Sequence, residues 1–416
     1  MKKTNEYVSY EDYCIRQMSK TLDLSLRQKW LSDEWEQKIS GFTQVFSKLG
    51  NSLNTNSKIL CIGARTGQEV VAFQRIGCNN VIGIDLVECL PNVIKGDMHN
   101  LPFDRNTFDI VFSNIFDHSL QPKIFISEIE RVLKEDGLCY LQLQVDLTQD
   151  EFAEHIIENP FYDVLSLFDV SYCHHIKKFD PNFAGMNLEI ITRKDADLVK
   201  IYQDYGSLAT LNVPNEFREL WNDINLPIQE NKLNQARIYD TDERQTILDT
   251  LSKRAYFLVA HAKQYQTKNI AEVGTAEGWQ FYSFCKEQAD KGSVWSCDIR
   301  DVRHQKYKNL YQSENFVNGT SSNMSDQITK SQQKIGLFYI DGAHDKGSVI
   351  NDVISLIPTQ EDNSIWIFDD FDHRFGCYED IVNIAEASQQ FKVYSPGKTA
   401  SGNPTHQVLC KARFQI

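Results

Sequence analysis

The sequence predicts an α/β protein of two tandem domains, each a mostly parallel β-sheet with helices on both faces. Three observations carry this. The chain has 416 residues, more than one hydrophobic core usually serves, so two domains is the natural division. Short apolar runs alternate with helical stretches, the pattern of βαβ units around a parallel sheet. The same succession of elements also occurs twice. Residues 1–200 make the first copy with its leading helices, 201–240 a connection and 241–416 the second copy.

In the first copy, "KILCIGARTGQEVVAF" (58–73) is an apolar strand, a glycine-bearing turn and the start of a helix. "NVIGIDL" (80–86), "NVIKGDMHNLPF" (92–103), "FDIVFSN" (108–114) and "GLCYLQLQV" (137–145) supply strands two to five. A helix over 122–137 precedes the fifth, with Gly137 as its C-terminal stop. The second copy runs "KNIAEVGTAEGWQFYSFC" (268–285), "SVWSCDIRD" (293–301), "NFVNGTSSN" (315–323), "IGLFYIDGAH" (335–344) and "SIWIFDDFD" (364–372), with a helix over 346–357. Each copy closes with two further strands, at 167–176 and 187–194 in the first and at 390–396 and 406–414 in the second. Amphipathic helices over 26–49 and 241–265 lead into the first strands, and 196–235, with Pro214 and Pro227, reads as the connection.

Composition disfavours several partners. A net charge of −14 disfavours a nucleic-acid duplex or an anionic membrane, both of which reward a basic surface. The ten cysteines are scattered with no CxxC, which fits buried free thiols in a reducing compartment better than disulfides or a zinc site. The N-terminal "MKKTNEYVSYEDYC" has no apolar core of a signal peptide, and no run approaches a membrane span. These features predict a cytoplasmic protein acting on a small molecule, and leave a homo-oligomer open.

A glycine turn after the first strand and an acid ending the second form the layout of a Rossmann-like nucleotide site. Glycine lets the backbone approach the ligand, and the carboxylate accepts from the two ribose hydroxyls. Gly63, Gly67 and Asp85 supply this set in the first copy; Gly274, Gly278 and Asp298 supply it in the second. A generic α/β sheet with Gly-rich turns is the alternative. Neither turn has GxGxxG spacing, which disfavours NAD and FAD.

These residues resemble class I S-adenosylmethionine-dependent methyltransferases, over most of both halves. "ILCIGARTG" is similar to that family's first motif, "VIGIDL" to its second, and "IKGDMHNLPFDRNTFDIVFS" to its adenine-side loop and fourth strand. The resemblance implies a seven-stranded sheet with an antiparallel end, and Asp97 and Met98 flanking the adenine, with Asp97 accepting from its exocyclic amine. It assigns Glu272, Gly274, Gly278, Asp298 and Ser321 to the cofactor in the second copy. The first copy departs from the pattern: Cys61 stands where the family usually carries an acid, and Arg65 where a small residue is common. Both changes touch the methionine end of the cofactor. The second copy keeps the acid as Glu272 and the small residue as Ala276.

Ligands of a parallel sheet sit at the carboxyl ends of its strands. There Asp341 and His344 follow strand four of the second copy, and Asp369 and Asp370 follow strand five. Three close carboxylates repel one another, and a hard cation such as Mg²⁺ relieves that conflict. His344 would take the proton of a substrate hydroxyl. The offsets from Asp341 resemble those of metal-dependent O-methyltransferases, most nearly the macrocin and mycinamicin sugar O-methyltransferases and the related cephalosporin hydroxylase group. That resemblance implies Asp341, Asp369 and Asp370 as Mg²⁺ ligands and His344 as base; catechol-type enzymes carry Lys at the position of His344. Asp345, Asp352, Asp372 and His373 read as surface or supporting groups, and His174 and His175 as packing or edge residues.

The first copy has no matching carboxylate pair, and His118 is its candidate base. It is expected to be either a second, metal-independent methyltransferase or a degenerate copy serving binding and assembly. Neither copy carries the (N/D)PP(Y/F) sequence of amino-directed enzymes. A metal-dependent hydroxylase would require two His and one carboxylate, and only His344 is suitably placed. The expected activity is methylation of a hydroxyl on a sugar or polyhydroxylated small molecule, with S-adenosylmethionine and Mg²⁺.

Overall fold

A computed structural model describes residues 1–145, 151–169, 171–183, 185–205, 211–224, 241–371, 374–388, 391–398 and 404–411. Contacts divide the chain into two units, Met1–Lys194 and Asp195–Ile416. Asp372 and His373, the side chain of His175, and the connecting residues around Pro227 lie outside what is described.

The N-terminal unit has strands β1 (Ile59–Ile62), β2 (Val81–Asp85), β3 (Val93–Lys95), β4 (Phe108–Ser113), β5 (Leu133–Leu143), β6 (Tyr172–Phe183) and β7 (Met186–Lys194). Their order is β3-β2-β1-β4-β5-β7-β6. The first five are parallel and β7 pairs antiparallel to β5. Chain direction across the sheet reverses between β1 and β4, which opens a crevice at their carboxyl ends.

Three helices precede the sheet: α1 (Tyr10–Leu22), α2 (Leu24–Leu31) and α3 (Trp35–Ser47). The predicted helix over 26–49 is thus two helices, with the chain turning at 32–34. Helix α4 (Gln68–Arg75) starts at Gly67, whose φ of 90° admits the turn. Helix α5 (Pro122–Val132) opens on proline, which lacks only an amide the first turn would leave unpaired. It buries Phe125, Ile126, Ile129 and Val132, one helical stripe. This helix ends at Val132, not at Gly137 as expected: Leu133 is already extended and pairs with Phe108. The sixth strand likewise begins at Tyr172, later than predicted, because 165–167 form a short 3₁₀ turn.

On one face of this sheet Phe46 stacks on Phe73 at 3.8 Å and meets Phe112 edge-on at 4.9 Å. Each such buried ring contributes roughly 2–3 kcal/mol of transfer free energy. His174 is buried in the sheet, its Nδ1 2.6 Å from Thr192 Oγ1.

The C-terminal unit repeats the plan with β8 (Ile270–Val273), β9 (Val294–Asp298), β10 (Glu314–Asn318), β11 (Ile335–Ile340), β12 (Gln360–Phe368), β13 (Phe391–Lys398) and β14 (Pro404–Lys411). The order is β10-β9-β8-β11-β12-β14-β13, with β14 antiparallel to β12. Helices α6 (Thr241–Gln264), α7 (Trp279–Glu287), α8 (Ser321–Lys330), α9 (Ser348–Leu356) and α10 (Cys377–Ser388) accompany it. Both units are α/β, Rossmann-like, seven-stranded and mostly parallel. Among the described residues no helix is long and apolar enough to cross a membrane.

Candidate active site

The two glycine turns share one backbone design. Gly63 and Gly274 have φ of 77° and 92°, and the middle residues Arg65 and Ala276 are left-handed as well, at 47° and 45°. A non-glycine residue there costs roughly 1–2 kcal/mol, and a hydrogen bond offsets it. Arg65 N donates to Asp85 Oδ2 at 3.1 Å, and Ala276 N donates to Asp298 Oδ2 at 2.9 Å. The other oxygen of each acid accepts from a nearby amide, Val87 N at 3.2 Å and Arg300 N at 3.0 Å. The acids expected at the ribose therefore also hold the turn, and burial raises the pKa of Asp85.

At Gly274 the need for glycine is steric: a Cβ there would lie 1.8 Å from the carbonyl oxygen of Asp341. The end of β11 is pressed against the turn. A cavity of about 680 Å³ opens beside them, lined by Ala276, Asp298, Ser321, Asp341 and Asp352 among others. Ser321 Oγ donates to Asp352 Oδ1 at 2.6 Å. Glu272 is buried behind the turn, accepts from Ser296 Oγ at 2.6 Å, and is pushed well above the usual carboxylate range by burial.

Asp341, His344 and Asp370 converge here: one ligand atom from each lies within 4.8 Å of the others. His344 Nε2 is 2.8 Å from Asp370 Oδ2. Asp370 takes a left-handed φ of 53°, strain of the kind stored at working sites. Asp369, its neighbour, faces inward. Its Oδ1 accepts from Asp370 N at 2.8 Å, and its Oδ2 accepts from Tyr339 Oη at 2.6 Å and pairs with Arg254. The structure thus gathers three of the four expected residues and holds the fourth in a buried ion pair beside them. Asp345 is exposed.

Two carboxylates at this spacing are donors that suit a divalent cation, and the imidazole beside them can serve as a ligand or as a base. Burial and the negative charge of Asp370 raise the pKa of Asp341, a conflict that positive charge would relieve. Among the described residues this is the one group of three or more acidic, His or Cys side chains so arranged.

In the N-terminal unit Gly63, Arg65, Asp85, Met98 and His118 line one cavity, closed on one side by Tyr13 and Gln17 of α1. His118 Nδ1 is 3.2 Å from Gln17 Oε1, and Tyr13 Oη donates to the His118 carbonyl at 3.0 Å. Asp97 is engaged within the protein: Oδ2 accepts from Tyr10 Oη at 2.6 Å and Oδ1 from His99 N at 2.8 Å. Arg65 lies over the Trp30 ring at 4.2 Å. Asn114 follows β4 where Asp341 follows β11.

Sequence reading missed α1, although Ser9 and Asp12 form a capping box that announces it. It also missed Arg254 and Tyr339. Arg254 had one signal, a cation next to the apolar run "AYFLVA", and it is 9% exposed.

Residues 60–141 match a family model described as a methyltransferase domain, and residues 271–371 match a second model of the same description. The chain carries two methyltransferase domains. Both matches cover the glycine turn and the strands beside it, which supports S-adenosylmethionine as the cofactor. No curated protein matches the chain. Similar solved structures include the 1,6-didemethyltoxoflavin N1-methyltransferase of Burkholderia thailandensis, 14% identical with a TM-score of 0.36, covering 46% of this chain and 93% of its own. A SAM-dependent methyltransferase of Aquifex aeolicus is 18% identical with a TM-score of 0.32, covering 39% of this chain and 95% of its own.

Proposed function

We propose that the C-terminal methyltransferase domain methylates a hydroxyl of a sugar or polyhydroxylated small molecule with the help of Mg²⁺, and that the N-terminal domain is a second, metal-independent methyltransferase. The observation that carries this reading is the convergence of Asp341, His344 and Asp370 beside the glycine turn. When bound, S-adenosylmethionine supplies an electrophilic methyl group, and a divalent cation supplies positive charge that lowers the pKa of a nearby hydroxyl.

Asp341 and Asp370 would hold the cation, with Asp369 as a third carboxylate if Arg254 releases it. Asp298 would orient the ribose. His344 accepts the proton of the substrate hydroxyl, and the Asp370 carboxylate 2.8 Å away stabilises the resulting imidazolium. A hydroxyl oxygen deprotonated there would be placed to receive the methyl group that the cofactor supplies, and positioning by these side chains would account for much of the rate. In the N-terminal domain His118, steadied by Gln17, is the proposed proton acceptor.

Equilibrium titration of the full chain with S-adenosylhomocysteine should reveal two sites. Methyl transfer to hydroxylated acceptors by the C-terminal site should stop with EDTA and return with Mg²⁺. Turnover that persists in EDTA and in both His344→Ala and Asp370→Asn variants would refute the metal-assisted reading, and a single binding site would favour a degenerate N-terminal domain.

A further inference from the structure

Each turn buries one acid, but at a different place. Two residues before the first turn glycine stand Cys61 and Glu272; two residues after the second stand Glu69 and Gln280. In the C-terminal domain the strand carries the acid and the helix a neutral amide. In the N-terminal domain the strand carries a thiol and the helix carries the acid. The carboxyl group has moved across the turn.

Glu69 is 7% exposed, and its Oε2 has no hydrogen-bond partner among the described residues. It is close enough to Cys61 for its charge to add to the effect of burial, which already raises that thiol. It also lines a cavity of about 390 Å³ together with Gly63, Arg65, Asn114 and His118. The carboxyl accepts from its own backbone amide, but its second oxygen is buried without a donor, which is costly in the protein alone and leaves that oxygen able to accept from a group that enters. The same cavity is lined by the cations Lys20, Arg65 and Lys38, the last paired with Glu34 at 2.8 Å, and by Asp117. An acceptor of positive charge inside and cations around it match a zwitterion, the α-amino acid end of a ligand.

We propose that Glu69 receives the α-ammonium group of the cofactor's methionine portion in the N-terminal domain, whose first strand carries Cys61 and no acid. This rests on that domain binding S-adenosylmethionine. Burial brings the Glu69 carboxyl up to about 7, so an ammonium ligand must draw it into the ionised form, and binding should weaken as pH falls below neutrality.

The test uses the full chain with Asp298→Ala to silence the C-terminal site. Two probes are titrated: S-adenosylhomocysteine, and 5′-methylthioadenosine, which lacks the amino acid end. Glu69→Gln should weaken S-adenosylhomocysteine by about tenfold or more and leave methylthioadenosine unchanged. The loss of affinity between pH 7.5 and 6 should vanish in Glu69→Gln and persist in Glu69→Asp. Equal affinity and equal pH dependence in Glu69→Gln would overturn the proposal, as would an equal loss for both probes. If the Asp298→Ala parent binds neither probe, the N-terminal cofactor site itself fails and takes the proposal with it.

Discussion

The two glycine turns differ in chemistry far more than in shape. Gly63-x-Arg65-x-Gly67 and Gly274-x-Ala276-x-Gly278 follow the same left-handed backbone and are tied by the same acid-to-amide bond. Around them the side chains diverge. One turn faces Asn114 and His118 and has its buried acid on the helix; the other faces Asp341, His344 and Asp370 and has its acid on the strand. The lesson is that one backbone geometry recurs in both turns, while the residues at two strand mouths beside it differ in the chemistry they could support.

The sharpest way to break this contrast is to remove the proposed base. His344→Ala should cut C-terminal methyl transfer by about a thousandfold, the usual worth of a positioned proton acceptor, with S-adenosylhomocysteine still bound at both domains by calorimetry. A loss below about tenfold would place the base elsewhere.

Next comes the buried ion pair of Arg254 with Asp369. Arg254→Met leaves Asp369 uncompensated, and should destabilise that unit by about 3–5 kcal/mol in urea unfolding. Added Mg²⁺ should recover more stability in this variant than in the parent, because the freed carboxylate becomes available. Equal recovery would show that Asp369 stays outside any cation site.

A third test concerns pH. Glu69 has a folded pKa of about 7 against an ordinary value of 4.5. Its neutral form is favoured in the fold, so its effect on stability is most favourable below the unfolded value. Stability is lost as pH rises through 4.5 toward 7, by up to about 3 kcal/mol. Without ligand, Glu69→Gln should therefore stabilise the N-terminal unit at pH 8 and not at pH 4. An equal effect at both would mean that the buried carboxyl is not the group that titrates.

The smallest effect compares equivalent glycines. A Cβ at Gly274 meets the Asp341 carbonyl at 1.8 Å, whereas one at Gly63 meets the Ile115 side-chain end at 2.3 Å. Backbone cannot swing aside as a side chain can. Gly274→Ala should cost about 2 kcal/mol more than Gly63→Ala in denaturant unfolding, and should also disturb Asp341.

Much of this was legible in the chain itself. The strands β1–β4 and β8–β11, both turns and the acids at Asp85 and Asp298 obey local rules: short apolar runs, each closed by glycine or by an acid at the strand tip. Boundaries were less legible where pairing overrode a local signal: Gly137 reads as a helix stop, yet Leu133 is already held in the sheet by Phe108. The ion pair of Arg254 with Asp369 and the orphaned oxygen of Glu69 had no local rule behind them. Sequence alone determined the repeated α/β plan, because period and turn chemistry act over a few residues. Only the tertiary structure decided which carboxylates face one another, which is matched by an arginine from a distant helix, and which is left waiting for a partner, because burial and charge pairing depend on what packing brings close.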